Sequence, residues 1–597
     1  MNLLTYPFDN ALILKKKRAI KKELLADGTK RIKKKIAVLG GSTTNEIVNI
    51  LELFLLNYGI EPVFYQSEYA QYWQDAVFGN PELDSFEPDI VYIHTSQRNI
   101  TGFEVCMTAS KTDIDSMLTT QFEHFKEVWE ACEKKFGCPV IQNNFEMPFY
   151  RFLGNCDVSD YRGKLNFTNR LNDLFYSYAQ DHSNFYINDI NYISSLYGLA
   201  KWADPAAWYM YKYALCTDAI PELSFNIANI IKSIYGKNKK VLALDLDNTL
   251  WGGVIGDDGQ NGIEIGHETG AAEAYTAFQK YIKDHKQLGV LLTVNSKNDE
   301  ENALDGLKHP DTVLTPDDFI TIKANWNNKD SNIEETAEEI SILPESFVFV
   351  DDNPAERDIV ASQINGIAVP PIENAETYIN ILDRNGYFEV TAFTDDDIKR
   401  NEMYKANINR ARSEKSYTDY GEYLNSLEMT ALIDKFDPVY LQRIVQLTNK
   451  SNQFNLTTKR YTESEMDTVF DDDSYIKIFG KLSDKFGDNG VVSVVIGKKL
   501  ENVLHIDLWL MSCRVLKRDM EYAMLDRLVE ICRKQNITKI HGYYFKTAKN
   551  KMVKELFTDF GFTKISENEN EDSEFELDIL NYTNKNKHIN VINNGGY

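Results

Sequence analysis

The stretch VLALDLDNTLW, residues 241–251, decides the fold of the central part of this chain. Its first four residues are apolar and predict a buried β-strand, which Asp245 and Asp247 follow directly. Two carboxylates placed two positions apart just beyond a strand end can converge on one ion or one phosphate group. Because α/β proteins bind ligands at the carboxyl ends of parallel strands, this turn predicts a ligand site.

Outward from this motif, further strand ends carry polar residues that suit the same chemistry. Ser296 ends the apolar strand VLLTVNS, Lys329 follows NWNN, and Asp351 and Asp352 end FVFVDD. Oxygen ligands suit Mg²⁺, with waters and phosphate oxygens completing its shell. A carboxylate can accept a phosphoryl group covalently, and an ammonium and a hydroxyl can hold the phosphoryl oxygens. The pattern therefore predicts magnesium-dependent phosphoryl transfer.

These residues and their order resemble the haloacid dehalogenase (HAD) superfamily of phosphohydrolases. The resemblance implies a Rossmann-like core, Mg²⁺ as cofactor and Asp245 as both nucleophile and metal ligand. It implies that Asp247 is the general acid/base and offers its backbone carbonyl to the metal, while Thr249 steadies Asp247. The other implied roles are phosphoryl binding by Thr249, Ser296 and Lys329, and completion of the magnesium site by Asp351 and Asp352.

The spacing between the motifs predicts an open site. About 50 residues separate Asp245 from Ser296, and about 20 separate Lys329 from Asp351. Neither gap can hold a large cap domain, and WGGVIGDDG after the first motif can form only a small flap. An uncapped site suits a large substrate, such as a group on a protein or on a long arm.

Longer stretches resemble the FkbH-like branch of this superfamily. LDLDNTLWGGVIGDDG, SKND, NWNNK and FVFVDDNPAER carry the resemblance, and SNQFNLTTKRY and KFGDNGVV support it, from about Lys35 to about Ile565. The resemblance implies that an acyl phosphate, 1,3-bisphosphoglycerate, supplies a glyceryl unit to an acyl carrier protein with loss of phosphate. It also implies a setting in polyketide, nonribosomal peptide or surface-glycan biosynthesis.

One residue departs from this family pattern. Glyceryl-loading members carry a Cys directly before the Ser of SKND, whereas this chain has Asn295. Because Asn cannot form a thioester, a plain phosphatase acting on a small phosphorylated metabolite without a carrier protein is an open alternative. A non-catalytic scaffold with a spent phosphatase core is a third, although the intact motif argues against it.

The C-terminal block predicts an α+β fold and resembles the GNAT acyltransferases. Strand-like stretches are followed by a helix–strand–helix pattern. Active members have a loop Arg/Gln-x-x-Gly-x-Gly/Ala, but Lys517 and Asp519 stand where the glycines are expected. We therefore favour a degenerate acyltransferase-like domain over acetyl transfer. Its candidate acyl or pantetheine site comprises Cys513, Arg514, Lys517 and Arg518, and a buried structural thiol is favoured for Cys513.

The N-terminal block predicts an α/β domain of flavodoxin-like or SGNH-like type. A βαβ rhythm begins with KKIAVLGGS, and Ser42 after this strand faintly resembles the serine of SGNH hydrolases. The Asp-x-x-His of those enzymes is missing, and His94, His182 and Asp204 lack the right spacing. A structural or scaffold role is therefore favoured over hydrolysis.

The composition fits a multidomain globular protein. The chain has 597 residues, 43% of them apolar, and seven scattered cysteines that do not form a disulfide framework. It has no apolar run of membrane-spanning length and no secretory signal, so we expect a cytoplasmic protein without a membrane association. The predicted parts are a basic N-terminal segment (1–35), the SGNH-like domain (36–234), the HAD-like domain (240–372), a helical linker (373–415), the GNAT-like domain (416–580) and a frayed tail (581–597).

The charge is unevenly distributed along the chain. The net charge is −25, but residues 1–35 hold eleven Lys/Arg against three Asp/Glu, a net +8, so the remainder carries −25 − 8 = −33. Such an acidic body argues against nucleic-acid binding. Because carrier proteins are acidic too, a carrier would need a local basic patch. The candidate patches are Lys15–Lys35, Arg410/Arg412/Lys415, Lys517/Arg518 and Lys546/Lys549/Lys551/Lys554.

Overall fold

The computed structural model describes residues 3–450, 453–547 and 549–593. The chain divides into two compact units. The first comprises residues 1–237, 389–392 and 462–464, and the second comprises 238–388, 393–461 and 465–597. The domain boundaries predicted from the sequence stay predictions.

The first unit contains a five-stranded parallel sheet in the order β2-β1-β3-β4-β5. Long apolar runs make its central strands, because a parallel sheet is covered on both faces. Its strands are β1 (Ile32–Gly40), β2 (Ile60–Gln66), β3 (Ile90–His94), β4 (Val140–Asn143) and β5 (Phe185–Asn188). Its helices are Asn10–Ala26, Asn45–Asn57, Tyr72–Val77, Pro81–Phe86, Lys111–Phe136, Lys164–Asp181, Ile190–Tyr197, Leu199–Trp202, Pro205–Tyr211 and Ile220–Ile234.

The basic N-terminal segment forms the helix Asn10–Ala26. The helix is not solvated all round, since Ile13 and Ile20 are buried in the core of the first unit. Lys17 and Lys21 on this helix pair with Glu46 and Glu52. The basic run is thus partly neutralised within the fold.

The second unit begins with a four-stranded parallel sheet in the order β8-β7-β6-β9. The predicted apolar stretches form its strands, which are β6 (Val241–Leu244), β7 (Leu291–Ser296), β8 (Thr321–Ala324) and β9 (Phe347–Val350). The helices that follow in the chain up to residue 414 are Ile255–Asp258, Gly270–Gln287, Glu300–Gly306, Lys329–Glu339, Pro354–Gln363, Tyr378–Arg384, Asp395–Ile398 and Arg400–Glu414. The α/β prediction for this part is confirmed, and the predicted linker is helical.

The rest of the second unit contains an eight-stranded mixed sheet in the order β15-β16-β14-β13-β12-β11-β10-β17. This arrangement with flanking helices confirms the predicted α+β class. The strands are β10 (Thr430–Lys435), β11 (Tyr475–Asp484), β12 (Gly487–Leu500), β13 (Val503–Met511), β14 (Lys539–Tyr544), β15 (Thr563–Glu567), β16 (Ser573–Asp578) and β17 (Asn590–Ile592). The helices are Tyr420–Ser426, Pro438–Lys450, Glu463–Asp471 (its first two residues are assigned to the first unit), Met520–Lys534 and Leu556–Asp559.

Short 3₁₀ helices connect several of these elements in both units. They are Gln97–Asn99, Gly154–Val158, Thr217–Ala219, Pro316–Asp318, Pro344–Ser346, Ala375–Thr377, Cys513–Val515, Lys551–Val553 and Ile579–Asn581.

The prediction of a frayed tail is wrong for residues 590–592. These residues form β17, which pairs in parallel with Thr430–Leu432 at the sheet edge. Ile589 beside it is buried in the apolar core. This pairing is possible because an open sheet edge exposes unpaired backbone N–H and C=O groups. Such an edge can bind a segment that has no apolar periodicity of its own.

A buried ion-pair cluster joins the helix Arg400–Glu414 to the mixed sheet. Asp484, whose side chain is fully buried, accepts two hydrogen bonds from the Arg410 guanidinium at 2.8 and 2.7 Å. Arg518 also approaches Asp484, at 3.3 Å. One carboxylate therefore balances two buried guanidinium groups.

Replacing Asp484 by Ala should destabilise the second unit by about 3–5 kcal/mol, because it leaves two buried cations unpaired. The measurement is the unfolding midpoint in denaturant. Glu567→Gln, which removes an exposed pair with Lys564, is the matched control and should cost at most about 1 kcal/mol. Equal midpoints for the two variants would contradict this account.

Candidate active site

The predicted acidic residues meet at the carboxyl edge of the four-stranded sheet. Asp245 follows β6 and Asp351 follows β9, and these two strands are direct neighbours. The Asp245 N–H donates to the Val350 carbonyl at 2.9 Å, which continues the pairing into the two turns. Carboxylate oxygens of Asp245, Asp351 and Asp352 all lie within 4.8 Å of one another. The structure therefore places three carboxylates around one point.

Lys329 supplies the positive charge that this cluster needs. It begins the helix Lys329–Glu339, is 3% exposed, and places its Nζ 3.0 Å from Asp245 Oδ1 and in contact with Asp351 Oδ2. Burial opposes the charged ammonium, but the charges of Asp245 and Asp351 outweigh burial and raise the pKa of Lys329. Lys329 is therefore held as a cation between the two carboxylates.

The carboxylates themselves carry more charge than one lysine balances. Burial, followed by the nearby charge of Asp245, raises the pKa of Asp351 to about 6 and also raises the pKa of Asp352. Asp245 Oδ1 is buried, and the Lys329 ammonium at 3.0 Å is its close partner among the described residues. Three carboxylates that share one ammonium group form an all-oxygen donor set with excess negative charge, which fits a hard divalent cation such as Mg²⁺.

Asp247 occupies a different position from the three clustered carboxylates. Its Oδ1 accepts hydrogen bonds from Trp251 Nε1 at 2.9 Å and from the Ile255 N–H at 3.0 Å, and its Oδ2 accepts one from Asn298 Nδ2 at 3.0 Å. Burial raises the pKa of Asp247, while the Ile255 and Trp251 hydrogen bonds lower it and the Asp245 charge raises it. A half-buried carboxyl group held in one orientation, with a raised pKa, suits proton transfer.

Thr249 and Ser296 lie at the same sheet edge, but Thr249 has a different contact from the predicted one. Both are buried. The Thr249 hydroxyl accepts a hydrogen bond from the Asp352 N–H at 3.2 Å, and in the described part of the chain it does not contact the Asp247 carboxylate. Thr249 thus links the two acidic turns, and Asn298 and Trp251 steady Asp247 instead.

Sequence reasoning missed these two partners of Asp247. Asn298 lies in the loop after β7, two positions beyond Ser296. A polar residue so close to a strand end could have been predicted to belong to the site. Trp251 gave no such signal, because an aromatic residue after an apolar strand indicates core packing. Its indole ring is indeed buried, and only its N–H reaches Asp247.

Asn295 forms part of a buried amide network beneath Lys329. Its Nδ2 donates to the Lys329 carbonyl at 2.8 Å, and its Oδ1 accepts from Asn332 Nδ2 at 3.1 Å. Asn332 also bonds Asn325 Oδ1 at 3.0 Å. The residue that stands in place of the expected Cys therefore anchors the start of the lysine helix.

The HAD-like part carries no large cap domain, as the spacing predicts. All of residues 240–372 are described, and they contain no inserted cap domain. The flap after the first motif is a short helix, Ile255–Asp258, and a two-residue bridge between Gly252 and Glu264. Trp326, 70% exposed, donates its indole N–H to Asp299 at the rim.

The structure does not support the predicted pantetheine site in the C-terminal part. Lys517 and Asp519 keep positive φ angles of 62° and 61°, so the loop has the backbone conformation that glycines would favour. Arg518, however, is buried and bonded to Asp484, to Asn407 Oδ1 and to a backbone carbonyl. The guanidinium group that should meet a phosphate is therefore already satisfied.

The other members of that predicted site do not restore it. Arg514 is 7% exposed and lies 3.8 Å from Asp396, while Lys517 is exposed. The side chain of Cys513 lies outside the described part of the structure. Each described cation of this set is therefore either held near a carboxylate or exposed, and together they do not restore the site.

The gap between β13 and β14 is filled by the chain itself. The two strands pair only over Val503–His505 and Lys539–His541. Beyond that point Leu456 donates its N–H to the Trp509 carbonyl at 3.1 Å and accepts from the Phe545 N–H at 2.9 Å. With 0% exposure, Leu456 belongs to the core. A ligand arm cannot lie along β13 here without displacing this segment.

The N-terminal residues with hydrolase-like positions do not form a catalytic triad. His94 is fully buried and bonded to Tyr92 and Asn143, and burial lowers its pKa to about 4. His182 stacks on Tyr178, and Asp204 caps the helix Pro205–Tyr211. These contacts are consistent with the structural or scaffold role that the sequence favours over hydrolysis.

In the described residues, no helix has both the length and the apolar character needed to cross a membrane.

A magnesium ion bound at the three carboxylates should raise the thermal stability of the protein. The expected gain is about 1.4 kcal/mol when the metal is tenfold above its Kd. Differential scanning calorimetry with and without MgCl₂ measures it. Asp351→Asn should abolish the gain and Asp358→Asn, on the exposed face of the next helix, should keep it; a gain that survives Asp351→Asn would refute the metal site.

Comparisons with known proteins agree with this geometry. Residues 35–232 match the family model described as FkbH, N-terminal domain. The N-terminal part of the protein BF1531 from Bacteroides fragilis, solved in complex with Mg and containing a phosphatase domain, is 29% identical to this chain. That likeness covers 64% of this chain and 99% of the BF1531 chain, with a TM-score of 0.58. None of the curated proteins matches the chain.

Shorter solved acetyltransferases are also similar to part of the chain. The ribosomal-protein-S18-alanine N-acetyltransferase from Escherichia coli is 11% identical, covers 25% of this chain and 94% of its own, and has a TM-score of 0.21. A GNAT-family acetyltransferase from Staphylococcus aureus MU50 is 14% identical, covers 25% and 99%, and has a TM-score of 0.21. The match of residues 35–232 to the FkbH N-terminal domain agrees with the FkbH resemblance found in the sequence.

Proposed function

We propose that this protein is a magnesium-dependent phosphatase of the HAD type, acting on a phosphorylated acid or an acyl phosphate. The observation that carries the proposal is the placement of Asp245, Asp351 and Asp352 around one point with Lys329 bridging two of them. The likeness to the Mg-complexed phosphatase domain of BF1531 supports the same chemistry.

The residues suggest the following division of work. Asp245 is the nucleophile, and its carboxylate oxygen forms a bond to phosphorus while the leaving oxygen departs. Asp247, held by Asn298 and Trp251, gives that oxygen its proton and later takes a proton from the water that releases phosphate. Both steps use the same carboxyl group in opposite directions.

Other side chains bind and orient the phosphoryl group. Lys329 and Ser296 hold its oxygens, and Thr249 fixes the acidic turn that carries Asp352. Asp245, Asp351, Asp352 and the Asp247 carbonyl would hold the magnesium ion. When bound, the ion neutralises phosphoryl oxygens and orients them for in-line attack.

The structure favours hydrolysis over acyl loading through a thioester. The chain has no cysteine between Cys216 and Cys513, so the HAD-like domain cannot carry an acyl thioester of its own. Asn295 fills the expected position with an amide bonded on both sides. Transfer to an acyl carrier protein stays a prediction of the family resemblance, as do the cytoplasmic location and the biosynthetic setting.

Asp245→Asn should lower phosphate release from a phosphomonoester or acyl phosphate at least about 10³-fold, because the amide cannot act as nucleophile. The assay measures inorganic phosphate with and without magnesium. Asp257→Asn, in the flap helix, is the matched acidic control and should keep activity. Unchanged turnover by Asp245→Asn would contradict the proposed function.

Asn298→Ala should lower kcat about tenfold while leaving KM nearly unchanged, because Asp247 loses the hydrogen bond that orients its carboxyl group. Steady-state kinetics separate the two constants. A change confined to KM would show that Asn298 contacts substrate instead of positioning Asp247.

Intact mass spectrometry decides between hydrolysis and loading. The protein is incubated with 1,3-bisphosphoglycerate, magnesium and an acyl carrier protein carrying its phosphopantetheine arm. We expect free phosphate and an unmodified carrier. A carrier that gains one glyceryl unit, and does not gain it with Asp245→Asn, would contradict hydrolysis as the whole function.

A further inference from the structure

The first unit contains a cation cluster that the phosphatase site does not use. It lies at the carboxyl ends of β1 and β3, which are neighbours in the sheet although β2 intervenes in sequence. This is a topological switch point, where the loops of two adjacent strands run in opposite directions and leave a crevice. The loops after β1 and β3 therefore lie where α/β proteins bind ligands.

Three basic side chains with aromatic neighbours define what we call the Arg98 cluster: Arg98, Lys164 and Lys212. The Arg98 guanidinium lies 4.8 Å from the ring centre of Trp208 and 5.5 Å from that of Phe149. The other two cations lie over Tyr150 (Lys164, 5.5 Å) and Trp208 (Lys212, 5.3 Å).

Hydrogen bonds join the cluster into one region. Lys164 donates to Gln97 Oε1 at 3.3 Å, next to Arg98 in the loop after β3. The Lys212 carbonyl accepts from the Thr43 N–H at 3.0 Å in the loop after β1. The same loop places Ser42, 2% exposed, whose hydroxyl has no partner among the described residues. The loops after β1 and β3 therefore bring three cations and a buried hydroxyl without a partner into one region of the first unit.

The cations of this cluster are not neutralised by ion pairs. Within the described residues, no carboxylate lies within 4.0 Å of the Arg98, Lys164 or Lys212 nitrogens, and Arg98 Nε is buried without a partner. Burial, and then the like charge of Arg98, lower the pKa of Lys164. In a chain of net charge −25, three half-buried cations without ion pairs in one region are a feature that an anionic ligand could balance.

Two carboxylates, Asp157 and Glu146, lie near the cluster, but neither forms an ion pair with one of its cations. Asp157 is bonded to the backbone N–H groups of Phe152, Leu153 and Leu165. Glu146 accepts from the Gln97 N–H at 3.2 Å, and burial raises its pKa to about 7, so it carries only part of a charge near neutral pH.

The basic stretches predicted from the sequence differ from this cluster. Several of their cations are held in ion pairs within the fold. The pairs are Lys17–Glu46, Lys21–Glu52, Arg410–Asp484, Arg518–Asp484, Lys546–Glu571, Lys549–Glu345 and Lys554–Glu571.

We propose that the Arg98 cluster binds a small organic anion, a carboxylate or a phosphate ester with an apolar or ring-shaped part. Arg98 and Lys164 meet the anionic group, and Tyr150 and Trp208 pack against the apolar part. Tyr150 is 71% exposed, so the ligand reaches the aromatic wall directly from solvent. The site lies in the FkbH N-terminal domain and does not depend on phosphatase activity.

Isothermal titration calorimetry on the intact chain tests the proposal. Phenylphosphonate and benzoate are the two anionic probes, which distinguish a phosphate-type from a carboxylate-type ligand, and benzyl alcohol is the neutral control. EDTA is present throughout, so no divalent metal assists binding at the carboxylate cluster of the other unit. We expect saturable binding of at least one anion and none of benzyl alcohol.

Two conservative variants locate the binding. Arg98→Gln and Lys164→Gln should each weaken anion binding about tenfold or more, because each removes a charge-assisted contact. Lys126→Gln, on a half-exposed helix face of the same unit, should bind like the wild type. Thermal melts confirm that each variant is folded.

Three results would overturn the proposal. They are no saturable binding of either anion by the wild type, equal binding of benzyl alcohol, and unchanged binding by both Arg98→Gln and Lys164→Gln. Because all binding is measured without magnesium, a failed phosphatase assay would leave this result unaffected, and the reverse also holds.

Discussion

The second unit's site depends on one buried ammonium group shared between two carboxylates. Lys329 lies between Asp245 and Asp351 at the carboxyl edge of the parallel sheet. Without it, three carboxylates within 4.8 Å would repel one another in a region shielded from water. With it, a net negative charge remains, which fits a divalent cation and excludes further anions until that cation is present.

Hydrogen bonds from the surrounding fold fix the position of Lys329. The Lys329 carbonyl is held by Asn295, and Asn295 is held by Asn332, so the first turn of the lysine helix is fixed to the end of β7. On the other side of the sheet edge, Thr249 links the turn after β6 to that after β9. These contacts hold the lysine and the acidic residues in one arrangement, and preorganised charges need no reorganisation during phosphoryl transfer.

Much of this arrangement could be predicted from the sequence, because it depends on strand ends. An apolar run followed by acidic residues predicts both the strand and its ligand-binding end, and Asp245, Asp351 and Lys329 do meet there. The partners of Asp247 were harder to predict. In the sequence Trp251 indicates core packing, and only the structure shows that its N–H donates to Asp247. Long-range contacts could not be predicted from the sequence. Neither β17 nor the chain around Leu456, which bonds β13 and Phe545, has a pattern that predicts its pairing partner.

The most direct test of the account is to look for the phosphoryl group on Asp245. The protein is quenched in acid during turnover of a phosphorylated substrate with magnesium, digested, and its peptides are measured by mass spectrometry. The account predicts that the peptide spanning residues 241–251 gains one phosphoryl group on Asp245 and that Asp245→Asn prevents the gain. Phosphate release with the phosphoryl group on another residue would contradict it.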